Sequence, residues 1–105
     1  MISGQTESFE VEEVDIEEHA KRGGPAPSAR RYVIRVDKLR LTFNVSHAKG
    51  REILTEAGKE PPEQYKLRQR LHGGAVKDIR LDEDVDFRAP GVERFVTLKL
   101  DQTEG

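Results

Sequence analysis

Two runs in which apolar residues recur at every second position, separated by only two residues, constrain the fold of this chain more than any other feature. The runs cover residues 32–36 and 39–45. A repeat of two is that of a β-strand with one buried face, and the first run is rich in β-branched and aromatic residues. Because only Asp37 and Lys38 separate the runs, the pattern predicts an antiparallel β-hairpin.

Signals for one short helix follow the hairpin. Apolar residues recur at helical spacing between residues 52 and 57, and Ser46 has the side chain of an N-cap. Gly58 suits the position after a helix, and Pro61 and Pro62 prevent any continuation. The sequence therefore predicts a helix that ends before Gly58 and packs across the apolar face of the hairpin.

Three further extended segments complete the pattern, at residues 65–71, 76–81 and 92–100. In the last of them, Val96, Leu98 and Leu100 are expected on the buried face. The order of two strands, a helix and then three strands predicts an α+β fold of the β-grasp type. The helix provides the crossover that lets the last strand lie parallel beside the first.

Charge is divided unevenly along the chain, although the formal net charge is only −2. Residues 1–20 carry seven acidic residues and no Lys or Arg, so the remainder has a net charge of +5. A stretch rich in Gly and Pro follows the acidic residues, as in flexible linkers. We therefore expect residues 1–30 to form a disordered acidic arm and linker, residues 31–100 the folded domain, and residues 101–105 a polar tail.

Composition excludes several classes of protein. The chain has 105 residues and no Cys, which excludes disulfides, a thiolate nucleophile and a Cys-based zinc site. No apolar run approaches the roughly 20 residues of a membrane span, and the acidic N-terminal segment does not resemble a secretory signal. We therefore expect a cytoplasmic protein without membrane association.

Several stretches of the predicted domain match one known family. The two most specific are Gly-Arg-Glu-Ile-Leu at residues 50–54 and Pro-Gly-Val-Glu-Arg-Phe at residues 90–95. They are accompanied by stretches at residues 32–37, 57–62, 65–67 and 81–87. On these residues, the chain resembles ubiquitin and, more narrowly, the bacterial multiubiquitin type of ubiquitin-like β-grasp protein.

The resemblance implies a protein modifier rather than an enzyme. Relatives of this kind are encoded beside activating, conjugating and deconjugating enzymes in bacterial operons, some of them linked to antiviral defence. By the resemblance, Gly105 is the conjugation site, and Gln102, Thr103 and Glu104 are read by an activating enzyme that uses ATP. The chain itself would need no cofactor. The expected product is an isopeptide bond between Gly105 and a lysine of a target protein.

Tail chemistry supports and qualifies this implication. A terminal residue without a Cβ permits close backbone approach to a nucleotide, as an activating enzyme requires. The tail ends in Glu104 and Gly105, whereas ubiquitin and the sulfur-carrier relatives end in two glycines. A dedicated activating enzyme would therefore have to read a different sequence before the final glycine.

A row of cationic side chains is predicted on the outer face of the sheet. It has three interpretations: a solvated face, an electrostatic docking face for a protein, or a nucleic-acid site. Because no aromatic residues are interleaved with the cations, we expect no nucleic-acid partner. Phe95 joins this face if the last strand alternates as predicted, whereas a bulge would bury it. The candidate partner face consists of Arg40, Lys66, Arg68, Arg70, His72 and Phe95.

The acidic segment before the domain also alternates with apolar residues, as do peptides that add a strand to a sheet edge. Its candidate contact residues are Val11, Val14 and Ile16. Such a strand would dock on the basic face of its own domain or on the next copy of the chain. The alternative is a disordered arm that only improves solubility.

Metal and catalytic signals are weak in this sequence. The three His residues lie in separate segments, and the acidic cluster at residues 82–86 lacks the spacing of a calcium-binding loop. No nucleophile–base arrangement or phosphate-binding loop stands out. We therefore expect no metal and no catalytic residue.

The alternative to a modifier is a non-conjugated β-grasp binding or scaffold module that self-associates through its acidic arm and basic face.

Overall fold

The structure, a computed structural model, describes residues 9–100. Within them lie eight strands, two α-helices and a 3-10 turn at Pro62–Gln64. The elements in chain order are β1 (Val11–Asp15), α1 (Ile16–Ala20), β2 (Ala29–Val36), β3 (Leu39–Phe43), β4 (His47–Lys49), α2 (Gly50–Glu56), β5 (Tyr65–Leu71), β6 (Val76–Ile79), β7 (Asp84–Asp86) and β8 (Val92–Lys99).

A mixed six-stranded sheet carries the fold, with α2 packed across it. Its strand order is β1-β2-β8-β5-β6, and β3 pairs with β2 as a hairpin. The last strand, β8, lies parallel to β2, and β4 and β7 form a separate two-stranded sheet. This topology confirms the predicted α+β fold of the β-grasp type.

The strand β2 has neighbours along both of its edges. Tyr32 and Val33 pair with both β1 and β3, so those two strands lie on opposite edges. Val36 pairs with both β3 and β8, which places β8 opposite β3 as well. The strands β1 and β8 therefore share one edge of β2: β1 covers residues 29–33, and β8 joins near the end of the strand.

The core lies between α2 and the inner face of the larger sheet. Ile53 and Leu54 of α2 are completely buried in a cluster that includes Ile34, Leu67 and Phe95. Burying a large apolar side chain of this kind contributes about 1.5–3 kcal/mol relative to leaving it exposed. These three sheet residues come from β2, β5 and β8, so the core holds the central strands together.

The buried face of β8 is not the one that the alternation predicts. Phe95 is 0% exposed, whereas Leu98 is 53% exposed. Val96 is only half-buried and Leu100 is exposed. The prediction that Val96, Leu98 and Leu100 point inward is wrong, and Phe95 is removed from the candidate partner face.

A β-bulge in β8 is the physical reason for this change of face. Arg94 pairs with Arg70, but the next residue of β5, Leu71, pairs with Val92. Glu93 is therefore an extra residue without a partner opposite it, and one extra residue reverses the alternation. Val92 and Phe95 are consequently both buried, although they are three residues apart.

Residues 9–30 belong to the ordered structure, in contrast to the disordered arm that the sequence predicts for them. The strand β1 pairs in parallel with residues 29–33 of β2, and α1 contacts β2 and β8. Val14, Ile16 and Ala20 are buried. The reason is the edge of β2 that β8 leaves open, because this edge gives the acidic segment backbone partners as well as apolar contacts. Residues 1–8 lie outside the described residues.

The helix α2 begins at Gly50, later than an N-cap at Ser46 predicts. Residues 47–49 form β4 instead, and the carboxylate of Glu52 accepts a hydrogen bond from the backbone N–H of Lys49 (2.7 Å). A Cβ on Gly50 would lie 2.4 Å from the carbonyl oxygen of Arg80. The start of the helix therefore requires glycine for close backbone approach.

Candidate functional site

The described chain ends at a fixed point where β8 leaves the sheet. The backbone N–H of Leu100 donates a hydrogen bond to the carbonyl oxygen of Gln64 (2.8 Å), which lies in the 3-10 turn before β5. The predicted conjugation residue Gly105 lies outside the described residues. So do the predicted tail-reading residues, Gln102, Thr103 and Glu104.

Asp37, in the hairpin turn, is hydrogen-bonded to the last part of β8, which forms the base of the tail. Its carboxylate accepts hydrogen bonds from the backbone N–H (2.9 Å) and the hydroxyl (2.6 Å) of Thr97. Its own backbone N–H donates to the carbonyl oxygen of Phe95 (2.8 Å). Asp37 has a φ of 54°, a left-handed conformation that Asp tolerates better than most residues. The turn therefore fixes β8 two residues before the strand ends.

The outer face of the sheet brings four arginines together as two cross-strand pairs. Arg35 of β2 lies directly opposite Arg40 of β3, and Arg94 of β8 lies directly opposite Arg70 of β5. Like charges in directly opposite positions destabilise a sheet. This face therefore requires acidic partners.

Carboxylates of the N-terminal segment meet three of these arginines. Glu17 forms ion pairs with Arg35 and Arg94, Asp15 with Arg35, and Glu13 with Arg40. Hydrogen bonding to the carboxylate of Glu17 raises the pKa of Arg94. Within residues 9–100, Arg70 forms no ion pair. The acidic segment thus docks on the basic face of its own domain.

The three candidate residues of that segment occupy different environments. Val14 and Ile16 are buried in the core cluster, whereas Val11 is exposed. Asp15 ends β1 and caps α1, because its carboxylate accepts from the backbone N–H groups of Glu17 and Glu18. A strand that turns at once into a helix places Glu17 over the sheet.

The remaining cations of the predicted face are arranged around β5. Lys66 and Arg68 share the carboxylate of Asp78 on β6, at 3.3 and 3.1 Å. The hydrogen bond from Lys66 is the main reason that the pKa of Asp78 is lowered. His72 lies 3.0 Å from Glu93. The predicted row of cations therefore lies where expected, but Asp78 and Glu93 lie beside three of its side chains.

Sequence reasoning missed Arg31, Arg35 and Arg94 as residues of the basic face. Arg31 and Arg35 alternate with the buried residues of β2, so the period of two already places them outward. Arg94 was hidden by the bulge, since its orientation depends on the extra residue Glu93. The outward orientation of Arg31 and Arg35 could therefore have been predicted from their positions in β2.

The acidic cluster at residues 82–86 is occupied by protein groups. Glu83 accepts hydrogen bonds from Lys77 (2.9 Å) and from the backbone N–H of Arg80 (3.1 Å), and the bond from Lys77 is the main cause of its lowered pKa. Asp84 pairs with Lys49. Within the described part of the chain, no group of three or more His, Cys, Asp or Glu residues has an arrangement that would hold a metal ion.

The fold of residues 9–100 defines the class of protein. A mixed sheet with one helix packed across it, ending in a strand that leads into a polar tail, is that of a ubiquitin-like β-grasp protein. The family model for Multiubiquitin matches residues 32–99, and the chain belongs to this family. No curated protein and no solved structure matches the chain. Between residues 9 and 100, no helix is long and apolar enough to cross a membrane.

Proposed function

We propose that this chain is a bacterial ubiquitin-like protein modifier, joined through the carboxylate of Gly105 to lysines of target proteins. Its partners would be an ATP-dependent activating enzyme, a conjugating enzyme, a deconjugating protease and the target. The observation that carries the proposal is the family match, which ends at Lys99, where β8 leads into the tail. Ubiquitin-like modifiers are generally non-enzymatic, so the chemistry belongs to the partners. A role in antiviral defence, which the resemblance implies, is part of the proposal.

The base of the tail supports this role. Asp37 and the 3-10 turn hold β8 and Leu100 in place, so residues 101–105 start from a fixed point. Five extended residues span at most about 18 Å, at roughly 3.3–3.6 Å each. In the proposed reaction, the terminal carboxylate would use this reach to enter the channel of the activating enzyme while the domain stays outside it.

The proposed chemistry uses only the terminal carboxylate of the chain. That carboxylate attacks the α-phosphate of ATP and releases pyrophosphate, which leaves an acyl adenylate. A Cys thiolate of the activating enzyme then displaces AMP and forms a thioester. After transfer to the conjugating enzyme, a lysine amine of the target displaces the thiolate and gives the isopeptide bond.

The test combines the chain with its cognate activating enzyme and ATP. We expect an adduct on the enzyme that a reductant removes, as a thioester should be removed. Deletion of Gly105 should abolish the adduct, and so should one serine added after Gly105, which leaves every native residue in place. Thr42→Ser, a change on the sheet far from the tail in sequence, serves as the matched control. An adduct that persists in both tail variants would refute conjugation through Gly105.

The second candidate function is a non-conjugated binding or scaffold module. The contact between the acidic segment and the basic face within one chain supports it, because the same two complementary surfaces could pair between copies if the segment were exchanged. A scaffold should show a concentration-dependent mass in sedimentation and should not react with ATP and an activating enzyme. The two measurements therefore separate the candidates.

A further inference from the structure

We propose that the edge of β2 that β1 covers and the adjoining outer face, around Arg35 and Arg94, form a binding surface for an acidic strand–helix segment of a partner protein. Residues 11–20 of the chain occupy this surface as an internal competitor. The proposal is independent of conjugation through Gly105, because it concerns the opposite end of the chain.

Recognition of the internal segment has two separable parts. Backbone pairing runs in parallel from Val11 opposite Ala29 to Asp15 opposite Val33. This part accepts almost any extended sequence. The side chains supply selectivity: Val14 and Ile16 are buried, and the carboxylates of Asp15 and Glu17 meet arginines. A partner segment therefore needs aliphatic residues alternating with acids, followed by a helical turn.

Repulsion between arginines favours a state in which acidic residues cover this surface. Arg35 and Arg40 lie opposite each other, and so do Arg94 and Arg70, so an uncovered face would hold two unfavourable pairs. The side chain of Glu17 is only 18% exposed between its two arginines. An incoming segment must replace this carboxylate, which selects acidic partners and makes their binding sensitive to salt.

The connection between the segment and the domain is exposed, and the backbone N–H groups of Arg22 and Gly23 donate to carbonyl oxygens of α1 rather than to the sheet. Residues 21–25 are exposed, and Gly23 and Gly24 have φ values of 81° and 77°. The anchor comes immediately afterwards: the backbone N–H of Ala26 donates to the carbonyl oxygen of Arg88 (2.9 Å), and Nε of Arg88 donates to the carbonyl oxygen of Ala26 (3.1 Å). This anchor would hold the start of β2 in place in the proposed displacement of residues 9–20.

The proposed surface is tested in the full chain, with a protease site inserted between Gly23 and Gly24. A fluorescent peptide of residues 9–21 is titrated against the intact and the cleaved protein. A short linker holds its ligand at an effective concentration on the order of millimolar. We therefore expect the peptide to bind the cleaved protein with a midpoint at least tenfold lower than the intact protein, and to bind more weakly as salt rises.

Two peptide variants provide a matched comparison within one turn of α1. Glu17→Gln removes the carboxylate that meets Arg35 and Arg94, whereas Glu18→Gln changes a side chain that is 60% exposed and pairs only with Lys21. Both changes alter the helix terminus equally. We expect the Glu17→Gln peptide to bind at least fivefold more weakly and the Glu18→Gln peptide to bind like the original.

Five outcomes would overturn the proposal. Equal binding midpoints for the intact and the cleaved protein would show that residues 11–20 do not compete with the peptide. Equal losses of affinity for the two variant peptides would show that the contacts of Glu17 with the arginines do not contribute to binding. A cleaved fragment that cannot be exchanged even in high salt, or an unfolded sheet after exchange (followed by circular dichroism), would make residues 9–20 a permanent part of the fold. Dimers of the intact chain that the peptide dissociates would assign the surface to a second copy.

Discussion

Replacement of Asp37 by alanine should lower the free energy of unfolding by about 3 kcal/mol, through two effects that the structure separates. Asp37 accepts two hydrogen bonds from Thr97. A single bond to a charged acceptor contributes roughly 1.5–3 kcal/mol, and we assign about 1.5 kcal/mol to the two bonds together because the Asp37 side chain is 32% exposed. The left-handed conformation at φ 54° adds roughly 1–2 kcal/mol for a residue with a Cβ and no compensating local bond.

Two further substitutions at the same position distinguish these effects. Asp37→Gly loses the hydrogen bonds but adopts a positive φ without strain, so it should cost about 1.5 kcal/mol less than alanine does. Asp37→Asn keeps an acceptor oxygen and tolerates the left-handed conformation, so its loss should be the smallest of the three. The expected order of stability is therefore Asn, then Gly, then Ala.

Urea unfolding measures all three variants, and a double-mutant cycle with Thr97→Val isolates the side-chain bond. We expect a coupling energy of about 1 kcal/mol between Asp37 and the Thr97 hydroxyl. Equal stability of the alanine and glycine variants would refute the conformational part of the reasoning. A coupling energy near zero would refute the hydrogen-bond part.

Two more predictions follow from close contacts elsewhere in the chain. Gly50→Ala should lower the free energy of unfolding in urea by about 2 kcal/mol, because its Cβ would lie 2.4 Å from the carbonyl oxygen of Arg80; unchanged stability would show that the backbone gives way freely. Glu83→Gln should destabilise the protein at neutral pH but not in acid. The hydrogen bond from Lys77 lowers the pKa of Glu83, so its contribution is present above the ordinary carboxyl pKa and lost as the pH falls through the lowered one. A difference between wild type and variant that persists in acid would contradict this assignment.

The central hairpin and the end of α2 before Gly58 were predictable because their signals are local. The two alternating runs and the turn at Asp37 specify β2 and β3 without reference to the rest of the chain. The face of β8 was not predictable from alternation alone. It depends on Glu93 having no partner in β5, which is a property of two strands together. A residue such as Phe95 is therefore placed by pairing and not by its own neighbours in sequence.

The order of residues 9–20 depends in the same way on a distant element. Their apolar residues are too few to form a core alone, and their acids repel one another in an isolated segment. The edge of β2 becomes available only because β8 joins it near Val36 and leaves residues 29–33 open. Disorder was a reasonable expectation for the segment by itself, but the edge and the arginines beside it change the balance.

The acidic and basic residues are separated along the sequence, but they lie side by side on the surface of the folded domain. Acids of residues 1–20 lie in one part of the chain, yet Glu13, Asp15 and Glu17 lie among the arginines of the sheet. A partner that approaches the covered face finds cations chiefly along β5, and there Lys66 and Arg68 already share one carboxylate. Release of the N-terminal segment would uncover arginines on three strands at once. In the displacement proposed above, a partner must therefore supply acids equivalent to Glu13, Asp15 and Glu17.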